Sequence, residues 1–483
     1  MTLQQLAKDL TYTGTLTDAQ VTGITADSRQ VEPGSVFVCI AGGKFDGHDH
    51  AASALEKGAV LVVAQRDLGL SPQILVEDTR EAYGLLCGAF FDYPAKKLKL
   101  IGVTGTNGKT TITYLVKQIL EAAGKKVGLL GTIHNEIADM VIPSKHTTPD
   151  PLQLHAMFAR MAEAGCEYAV MEVSSHALDQ RRVAGCRFDC GIFTNLTQDH
   201  LDYHGSMESY YLAKKKLFEL SDRAVINLDD PTGQKLISEL SCPVTSFSCQ
   251  RDDADYTARD IRFSAKGSQF SLLANSQLAR VSFAMPGEFS VSNALAAAVG
   301  CISVGLTFEQ AVAGLNQCKG VPGRIEILPT DTPFTIIRDY AHSPDGLEKI
   351  ITAVRVFAPG RVVTLFGCAG NRDRTKRPIM GEIVSRLSDF CILTSDNPRD
   401  ENPQRVVDDV LPGLLEHDTP HEVIVDRYSA IEWALDNCHE GDILILAGKG
   451  HEDYQVLDYG TIFFDEKVIV DELLAKKKGE AKR

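Results

Sequence analysis

The stretch 102-GVTGTNGKTT-111 decides the fold of this chain. It lies between an apolar, strand-like run and a segment of helical length, where a glycine loop can wrap phosphates with its backbone N–H groups. Lys109 would reach the β- and γ-phosphates of a nucleotide, and the Thr110 hydroxyl would ligate Mg²⁺. The spacing departs from the usual phosphate-loop pattern, because Val103 follows the first glycine. A tight turn without a ligand is the alternative, but Gly-Lys-Thr-Thr at the start of a helix favours ATP binding.

Strand-like runs alternate with segments of helical length on both sides of this loop. Before residue 98, 35-SVFVCI-40 and 60-VLVVA-64 flank a glycine-rich turn. Four more runs follow the loop: 127-VGLLGT-132, 168-YAVMEV-173, 190-CGIFTN-195 and 224-AVINL-228. This alternation predicts βαβ units on a parallel sheet.

The second half of the chain changes pattern twice. Residues 253–285 alternate polar and apolar side chains, which predicts inserted antiparallel strands. Beyond the linker-like 318-CKGVPGR-324 the α/β alternation resumes, without a GxGxxG fingerprint. We therefore predict three α/β domains: a small N-terminal domain (1–97), a central P-loop domain with a parallel sheet (98–321) and a Rossmann-like C-terminal domain (322–483).

Composition narrows the class of protein. A length of 483 residues accommodates about three domains of roughly 150 residues each. The net charge of −15 argues against nonspecific binding to nucleic acid or anionic membranes. No signal peptide or membrane-length apolar run is present, and the 12 cysteines are scattered without a CxxC pair. These features indicate a cytoplasmic protein that is not embedded in a membrane, and we expect a monomer.

Several motifs occur in one order along nearly the whole chain. They are TGTNGKTT, 172-EVSSH-176, 194-TNLTQDHLDYHG-205, 211-YLAKKKLF-218, 289-FSVSNALAA-297, 321-VPGRIE-326 and 339-DYAHSPD-345. Together they resemble the Mur ligases, the ATP-dependent amide-forming ligases of peptidoglycan precursor synthesis. Three further stretches are similar to the subgroup that adds the third amino acid: 367-GCAGNRDRTKRP-378, 395-SDNPRDENP-403 and 447-AGKGHEDYQ-455.

The resemblance implies that ATP activates a carboxylate as an acyl phosphate. Both reacting groups are anionic, so catalysis is mainly positioning and charge neutralisation. Asn293 would contact adenine, although it could equally be a polar residue of the core. For His342 the sequence does not decide between contact with a ligand and packing in the protein. The implied ATP residues are Gly105, Thr106, Asn107, Gly108, Lys109, Thr110, Thr111, Asn293, Arg324 and Asp339.

Candidate metal ligands follow the strands of the central domain. Glu172 can supply a hard oxygen, with a solvated strand-end carboxylate as the alternative. His200 and His204 are four residues apart, so a zinc site on a helix is a rival reading. The following Gly205 and the lack of HExxH argue against zinc. By resemblance, His200 is associated with Mg²⁺ and His204 is structural.

The resemblance alone predicts that Lys214 is a functional residue. A run of three lysines at 214–216 would otherwise be a solvated helix face. In related ligases the lysine after Ala in this motif reacts with CO₂ to form a carbamate that helps hold Mg²⁺. Carbamylation needs the neutral amine, which at an ordinary pKa costs roughly 4.6 kcal/mol at pH 7. Metal coordination by the carbamate could offset that cost.

The resemblance also assigns the anionic acceptor, UDP-N-acetylmuramoyl-L-alanyl-D-glutamate. Its UDP end is expected near Ala26, Ser28, Gly43, Lys44 and Phe45. Its muramoyl-peptide end is expected at Thr147, Thr148, Ser174, Gln180 and Arg182. Hydroxyls and backbone amides suit a diphosphate, and an arginine suits a carboxylate. For Ser28 and Thr147 alone, local turn capping would be the simpler reading.

The turn 395-SDNPRDENP-403 indicates which amino acid is added. Members of the subgroup use meso-diaminopimelate or L-lysine, and only the former carries a far-end carboxylate, which the Arg399 fork can bind. Asp396 and Asn397 would accept from the neighbouring ammonium. Lysine would leave the arginines desolvated without a partner, and lysine-adding relatives lack the DNPR arginine. The implied pocket residues are Arg372, Asp396, Asn397, Pro398, Arg399, Gly448 and Glu452.

Three alternatives stay open at this point. The first is the same ligase with L-lysine as its substrate. The second is folylpolyglutamate synthetase, which shares the phosphate loop but does not need the DNPR pocket. The third is a noncatalytic nucleotide-binding module, against which the set of Glu172, His200 and Lys214 argues. A DNPR turn that only caps the next helix is the structural alternative for the pocket.

Overall fold

The structure is a computed structural model that describes residues 1–43, 45–264, 266–274 and 276–480. Contacts divide the chain into two units. The first contains Met1–Phe247, Asp253–Asp255 and Ala296–Gly314, and the second contains Ser248–Asp252, Tyr256–Leu295 and Leu315–Arg483. The predicted domain boundaries after residues 97 and 321 stay predictions.

The first unit opens with a small sheet whose order is β1-β5-β4-β3-β2. Strands β2 to β5 pair in parallel, and β1 pairs antiparallel with β5. Short apolar strands separated by helices form this sheet, because buried side chains such as Val36, Val38 and Val63 fill one face. The strands are β1 Thr13–Gly14, β2 Gly23–Thr25, β3 Ser35–Val38, β4 Leu61–Ala64 and β5 Gln73–Leu75, and the helices are α1 Leu3–Leu6, α2 Ala51–Glu56 and α3 Thr79–Phe90.

The phosphate loop follows the first strand of a second sheet in this unit. The parallel strands run in the order β13-β12-β11-β6-β10-β7, and the antiparallel β8 and β9 continue from β7. The strands are β6 Lys99–Thr104, β7 Val127–Leu130, β8 His134–Ile137, β9 Met140–Pro143, β10 Tyr168–Glu172, β11 Cys190–Phe193, β12 Ala224–Asn227 and β13 Val244–Ser248. The helices are α4 Lys109–Ala122, α5 Pro151–Glu163, α6 Ser175–Asp179, α7 Leu201–His204, α8 Met207–Glu219 and α9 Pro231–Glu239. The parallel sheet confirms the sequence prediction, whereas the β8–β9 hairpin was not predicted.

The second unit contains an antiparallel meander, as the alternation of residues 253–285 predicts. Its strands are β14 Tyr256–Ser264, β15 Gly267–Ala274 and β16 Gln277–Phe283. Two helices follow in the chain, α10 Glu288–Ser303 and α11 Phe308–Gln317, and both cross the division between the units.

The remainder of this unit is a Rossmann-like sheet in the order β17-β18-β22-β19-β20-β21. All its pairs are parallel except β17–β18. Helices cover both faces over two apolar cores, so the carboxyl ends of the strands are the expected ligand edge. The strands are β17 Glu326–Leu328, β18 Thr335–Asp339, β19 Val362–Phe366, β20 Phe390–Leu393, β21 His421–Val423 and β22 Ile443–Ala447, followed by the hairpin β23 Tyr454–Leu457 and β24 Gly460–Phe463. The helices are α12 Pro344–Arg355, α13 Lys376–Leu387, α14 Pro403–Leu414, α15 Arg427–Asn437 and α16 Glu466–Glu480.

Two properties concern the chain as a whole. All 12 cysteines are free, and most are buried. Within the part of the chain that the structure describes, none of the helices combines the length and the apolar character needed to cross a bilayer.

Candidate active site

The phosphate loop connects β6 to α4 and is fixed by the segment that follows β11. Gly105 has a φ of +148°, and a Cβ there would lie 1.8 Å from Thr194 Oγ1, so only glycine fits. The Thr106 N–H donates to the Asn195 carbonyl at 2.9 Å, and the Asn107 N–H donates to Asn195 Oδ1 at 3.0 Å. The loop is therefore held open above the start of α4 without help from a ligand.

Lys109 lies at the first position of α4 and folds back over the loop. Its Nζ donates to the carbonyls of Gly105 at 3.0 Å and Thr106 at 2.8 Å. A phosphate is a stronger acceptor for an ammonium group than a neutral carbonyl. Lys109 can therefore exchange these carbonyls for a phosphate with little movement.

Glu172 ends β10 and is almost fully buried, at 1% exposure. Its Oε2 accepts from the Thr110 hydroxyl at 2.9 Å, and its Oε1 accepts from the Thr132 N–H at 2.7 Å. The structure thus brings Thr110 and Glu172 together, and the reading of Glu172 as a solvated carboxylate is wrong. Thr132, which sequence reasoning missed, also lies 3.0 Å from Thr147 Oγ1 and links the two predicted sites.

Lys214 differs from the two lysines that follow it on α8. Its side chain is buried, and its Nζ donates to the Gly105 carbonyl at 2.8 Å and lies 4.3 Å from the centre of the Tyr210 ring. Burial lowers the pKa of Lys214 well below its ordinary value, and the positive charge of Lys109 adds to this shift. Lys215 and Lys216 instead form ion pairs on the outside of the helix. The solvated-face reading is therefore wrong for Lys214.

His200 precedes α7 and has a left-handed backbone, with a φ of +53°. Its ring packs edge-on against His176 at 4.9 Å between centroids, and its Nε2 is 3.4 Å from Asp199 Oδ2. His204 is 2.9 Å from Ser175 Oγ, which agrees with a structural role. Among the described residues, no group of three or more His, Cys, Asp or Glu side chains is arranged to hold a metal ion.

Four of the predicted acceptor-binding residues form one cluster next to Glu172. The Thr148 hydroxyl donates to the Glu172 carbonyl at 2.8 Å and accepts from the Ser174 N–H at 3.1 Å. The Arg182 guanidinium donates to the Thr148 carbonyl at 2.9 Å and twice to Gln180 Oε1. The cluster is pre-formed by its own hydrogen bonds.

The predicted UDP residues lie on loops of the small sheet. Lys57 Nζ donates to the Ser28 carbonyl at 2.7 Å, and Phe45 is 78% exposed. Ala26 and Gly43 lie in the same group of loops, and Lys44 lies outside the described residues. Arg80, on α3, was not predicted, although it donates to the carbonyl of Ala41 beside this turn at 2.7 Å.

The predicted ATP residues of the second unit lie near the start of the Rossmann-like sheet. Asp339 accepts from the Ile325 N–H at 2.7 Å and the Ala341 N–H at 2.8 Å, and burial raises its pKa. The Arg324 guanidinium stacks 4.7 Å from the centre of the Tyr340 ring. Asn293 is largely buried on α10. His342, left open from the sequence, has its Nδ1 2.7 Å from the Tyr340 carbonyl.

The DNPR turn follows β20 at the carboxyl edge of the sheet. Asp396 is 4% exposed, yet no hydrogen-bond donor among the described residues contacts its carboxylate. Arg399 is half-buried with a φ of +56°, and its N–H donates to the Val456 carbonyl at 3.0 Å. Gly448 has a φ of +114° and faces Asp396, since a Cβ there would lie 2.6 Å from Asp396 Oδ2.

Asn397 differs from its expected role as an acceptor for a ligand ammonium. Its Oδ1 already accepts from the Val456 N–H at 3.0 Å and from Lys449 Nζ at 3.3 Å. Its Nδ2 donates to Glu452 Oε2 at 2.9 Å. Asn397 therefore ties the turn to the 447–455 loop, and Asp396 remains as the open acceptor.

Arg372 and Pro398 complete the predicted set. Pro398 is buried in the turn, whereas Arg372 is exposed on the neighbouring loop and forms no hydrogen bond with a described residue. The loop itself is anchored by Arg377, which is fully buried and donates twice to Glu401 at 2.9 Å. Glu401, two residues after the DNPR turn, is thus a structural anchor.

A second buried arginine, Arg427 at the start of α15, was also missed. Its guanidinium donates to the carbonyls of Ser395 at 3.3 Å and Ala447 at 2.7 Å, and pairs with Glu466 at 2.7 Å. It therefore joins the ends of β20 and β22, the two strands that carry the pocket. No local pattern marks such a residue, because its partners lie far away in the sequence.

Comparison with known proteins decides the family. Three profiles match: Mur ligase family, catalytic domain (20–90), Mur ligase middle domain (103–301), and Mur ligase, glutamate ligase domain (323–450). The chain is 44% identical, over 98% of its length and 99% of the relative, to UDP-N-acetylmuramoyl-L-alanyl-D-glutamate–2,6-diaminopimelate ligase 1 of Clostridium acetobutylicum. This chain is a Mur ligase.

Two further similarities agree with this assignment. The diaminopimelate ligase of Caldanaerobacter subterraneus is 43% identical over 95% of this Mur ligase and 96% of the relative. A solved structure titled as a UDP-N-acetylmuramoyl-L-alanyl-D-glutamate–2,6-diaminopimelate ligase superposes with a TM-score of 0.73 at 32% identity, covering 99% of both chains. The predicted three-domain α/β architecture of the Mur ligase is confirmed.

Proposed function

We propose that this Mur ligase adds meso-2,6-diaminopimelate to the D-glutamate of UDP-N-acetylmuramoyl-L-alanyl-D-glutamate, with release of ADP and phosphate. The observation that carries the choice of amino acid is the DNPR turn, where the buried Asp396 carboxylate, which no donor among the described residues contacts, stands three residues before Arg399. A carboxylate and a guanidinium together suit a ligand end that carries both an ammonium and a carboxylate. The names of the relatives at 43–44% identity support the same substrate.

The phosphate loop would bind the ATP that activates the acceptor. Its backbone N–H groups and Lys109 would hold the phosphates, with Thr110 and Thr111 at the start of α4. The proposal also assigns Asn293, Arg324 and Asp339 to ATP binding, as the sequence predicts. The chain would orient the acceptor carboxylate against the γ-phosphate, so that an acyl phosphate forms and the amine of the amino acid then displaces phosphate.

The residues beside the loop fit Mg²⁺. The buried Glu172 carboxylate and the Thr110 hydroxyl are hard oxygen donors in contact with each other, and His200 lies on the segment after β11. When bound, Mg²⁺ would supply positive charge against the phosphates. Together with the ion, these residues would relieve the repulsion between the two anionic reactants.

Lys214 is proposed to act as a carbamate. Burial and the nearby charge of Lys109 favour its neutral amine, the form that reacts with CO₂. The neutral amine would form an N–C bond to CO₂ and lose one proton, which leaves a carbamate anion with two oxygens near Lys109. The N–H that the carbamate retains would donate to the Gly105 carbonyl, which the amine contacts at 2.8 Å.

The acceptor would lie along the first unit. Thr147, Thr148, Ser174, Gln180 and Arg182 are proposed for its peptide end, and Ala26, Ser28, Gly43, Lys44 and Phe45 for its UDP end. The fixed cluster around Thr148 favours this, since it reaches Glu172 through one hydrogen bond. The reaction belongs to cytoplasmic peptidoglycan precursor synthesis, and we expect the enzyme to work there as a monomer.

ADP release in the presence of ATP, Mg²⁺ and UDP-muramoyl-dipeptide tests the proposal. We expect release to depend on meso-diaminopimelate, with L-lysine poorer by roughly 10⁴-fold, because lysine leaves the pocket arginine unpaired. Equal use of lysine would assign the lysine-adding alternative. ATP binding without amino-acid-dependent release would assign the noncatalytic module, and release that depends on glutamate and a folate would assign the folylpolyglutamate synthetase reaction.

A further inference from the structure

Lys449 lies in the 447–455 loop between two glycines, and its side chain is fully buried. Its Nζ lies 3.0 Å from Glu452 Oε2 and 3.3 Å from Asn397 Oδ1. The rings of Tyr454 and Phe464 close the remaining sides at 5.6 and 5.9 Å. No ligand can reach this ammonium directly. Lys449 can therefore affect a ligand only by positioning Glu452 and Asn397 or through its own electrostatic field.

The two carboxylate oxygens of Glu452 have different contacts. Its Oε2 accepts from both Lys449 and the Asn397 amide, whereas the one donor to its Oε1 among the described residues is the Tyr454 hydroxyl at 3.4 Å. One oxygen of Glu452 is therefore held by two donors, whereas the other has a single long contact among the described residues and can still accept from a ligand in the proposed pocket.

These contacts have a consequence for specificity. The far end of diaminopimelate carries an ammonium and a carboxylate, whereas the far end of lysine carries only an ammonium. A buried positive charge behind the pocket repels both ammonium groups equally, but it attracts only the carboxylate. The charge of Lys449 therefore stabilises bound diaminopimelate relative to bound lysine.

We propose that Lys449 is a positioning residue that sets the preference of the pocket for an amino acid with a zwitterionic far end over one with a cationic far end. It holds Glu452 and Asn397 in place and cancels one of the two carboxylate charges at the pocket. The inference rests on the proposed function, because it concerns how the same pocket discriminates between its two candidate substrates.

The test compares Lys449→Met with the unmodified enzyme in the ADP-release assay, using diaminopimelate and L-lysine as substrates and L-lysine as a competitor. A unit charge about 6 Å from a carboxylate, at an effective dielectric constant of about 40 for a pocket open to solvent, corresponds to roughly a tenfold effect. We expect the ratio of kcat/KM for diaminopimelate to kcat/KM for lysine to fall about tenfold. The inhibition constant of lysine should fall relative to the KM of diaminopimelate, and the KM of ATP should stay the same.

Two further variants separate this role from a contribution to folding alone. Lys449→Arg keeps the charge and should retain the substrate ratio within about threefold even if its kcat falls. Lys477→Met removes a lysine that pairs with Asp436 at 2.6 Å on α16, away from the pocket, and should leave the ratio unchanged. If Lys449→Met lowers kcat/KM for both amino acids by the same factor, the inference is wrong.

Should Lys449→Met not fold, Lys449→Gln gives the same charge change with a polar side chain. The same fall in the ratio is expected for it, and an unchanged ratio overturns the inference. Failure of the proposed function looks different, because the unmodified enzyme would then show no diaminopimelate-dependent release of ADP. That result would appear before any variant is compared.

Discussion

Replacing Gly448 by alanine tests whether Asp396 must keep its position for the amino acid to bind. Gly448 follows β22 with a φ of +114°, and an alanine Cβ would lie 2.6 Å from Asp396 Oδ2. That is about 0.8 Å closer than the 3.4 Å at which ordinary contact begins. Asp396 must therefore move by roughly this amount, and a misplacement of about 1 Å in a binding group can cost about 10²-fold in rate.

The same substitution also strains the backbone, so the control must share that strain. Gly441 stands before β22 with a φ of +83°, and a Cβ there meets atoms only at 3.8 Å or more. Each variant should lose about 1–3 kcal/mol of stability from the unfavourable φ. At about 2–4 °C per kcal/mol for a domain of this size, both melting temperatures should fall by several degrees.

Steady-state ADP release with varied diaminopimelate, together with thermal unfolding, distinguishes the two effects. We expect kcat/KM for diaminopimelate to fall about 10²-fold in Gly448→Ala and less than about threefold in Gly441→Ala, with the KM of ATP unchanged in both. The reasoning is refuted if Gly448→Ala keeps kcat/KM for diaminopimelate within threefold of the unmodified enzyme. It is also refuted if the two variants lose activity equally.

Three other perturbations have defined outcomes. Lys214→Ala should lose most activity and recover part of it with millimolar acetate as a replacement for the carbamate; no recovery in an acetate titration would count against carbamylation. Arg399→Ala should raise the KM of diaminopimelate by more than about tenfold while the KM values of ATP and the UDP substrate stay nearly constant, because only the distal carboxylate loses its partner; equal losses for all three substrates would contradict the assignment. Glu401 has a pKa lowered to about 2 by its hydrogen bonds with Arg377, so its contribution to stability is complete above the ordinary pKa of 4.5 and is lost as the pH falls towards 2. Glu401→Gln should therefore lower the free energy of unfolding at pH 7 and weaken its decrease between pH 4.5 and 2, as measured by urea unfolding at several pH values.

The sheets were predictable from the sequence because their strands carry a local pattern. Apolar runs such as those of β6, β10 and β22 are buried on both faces, and turn residues separate them, so alternation alone predicted parallel sheets. The β8–β9 hairpin was missed, since 134-HNEI-137 contains polar residues and β9 is largely exposed. Its pairing depends on the edge of β7 rather than on its own composition.

Candidate site residues could be named from the sequence only where a motif marked them. Lys214 shows the limit: a run of three lysines predicts a solvated face, and only the fold buries the first of them against Gly105. Asn397 lies in the DNPR turn, but its side-chain Oδ1 accepts from Val456 and Lys449, which are more than 50 positions away in the chain. Partners this distant leave no periodic or spacing signal in the sequence.

The clamp formed by Arg427 has an evolutionary consequence. The guanidinium contacts the carbonyls of Ser395 and Ala447 and the carboxylate of Glu466, and none of these contacts involves a side chain that lines the pocket. Substitutions at Asp396 or Arg399 would leave the clamp intact, because Arg427 holds the backbone carbonyls of Ser395 and Ala447 and neither of the substituted side chains. A lineage could therefore exchange the amino acid that it selects through a few changes in the turn, while the frame that holds the turn is inherited without alteration.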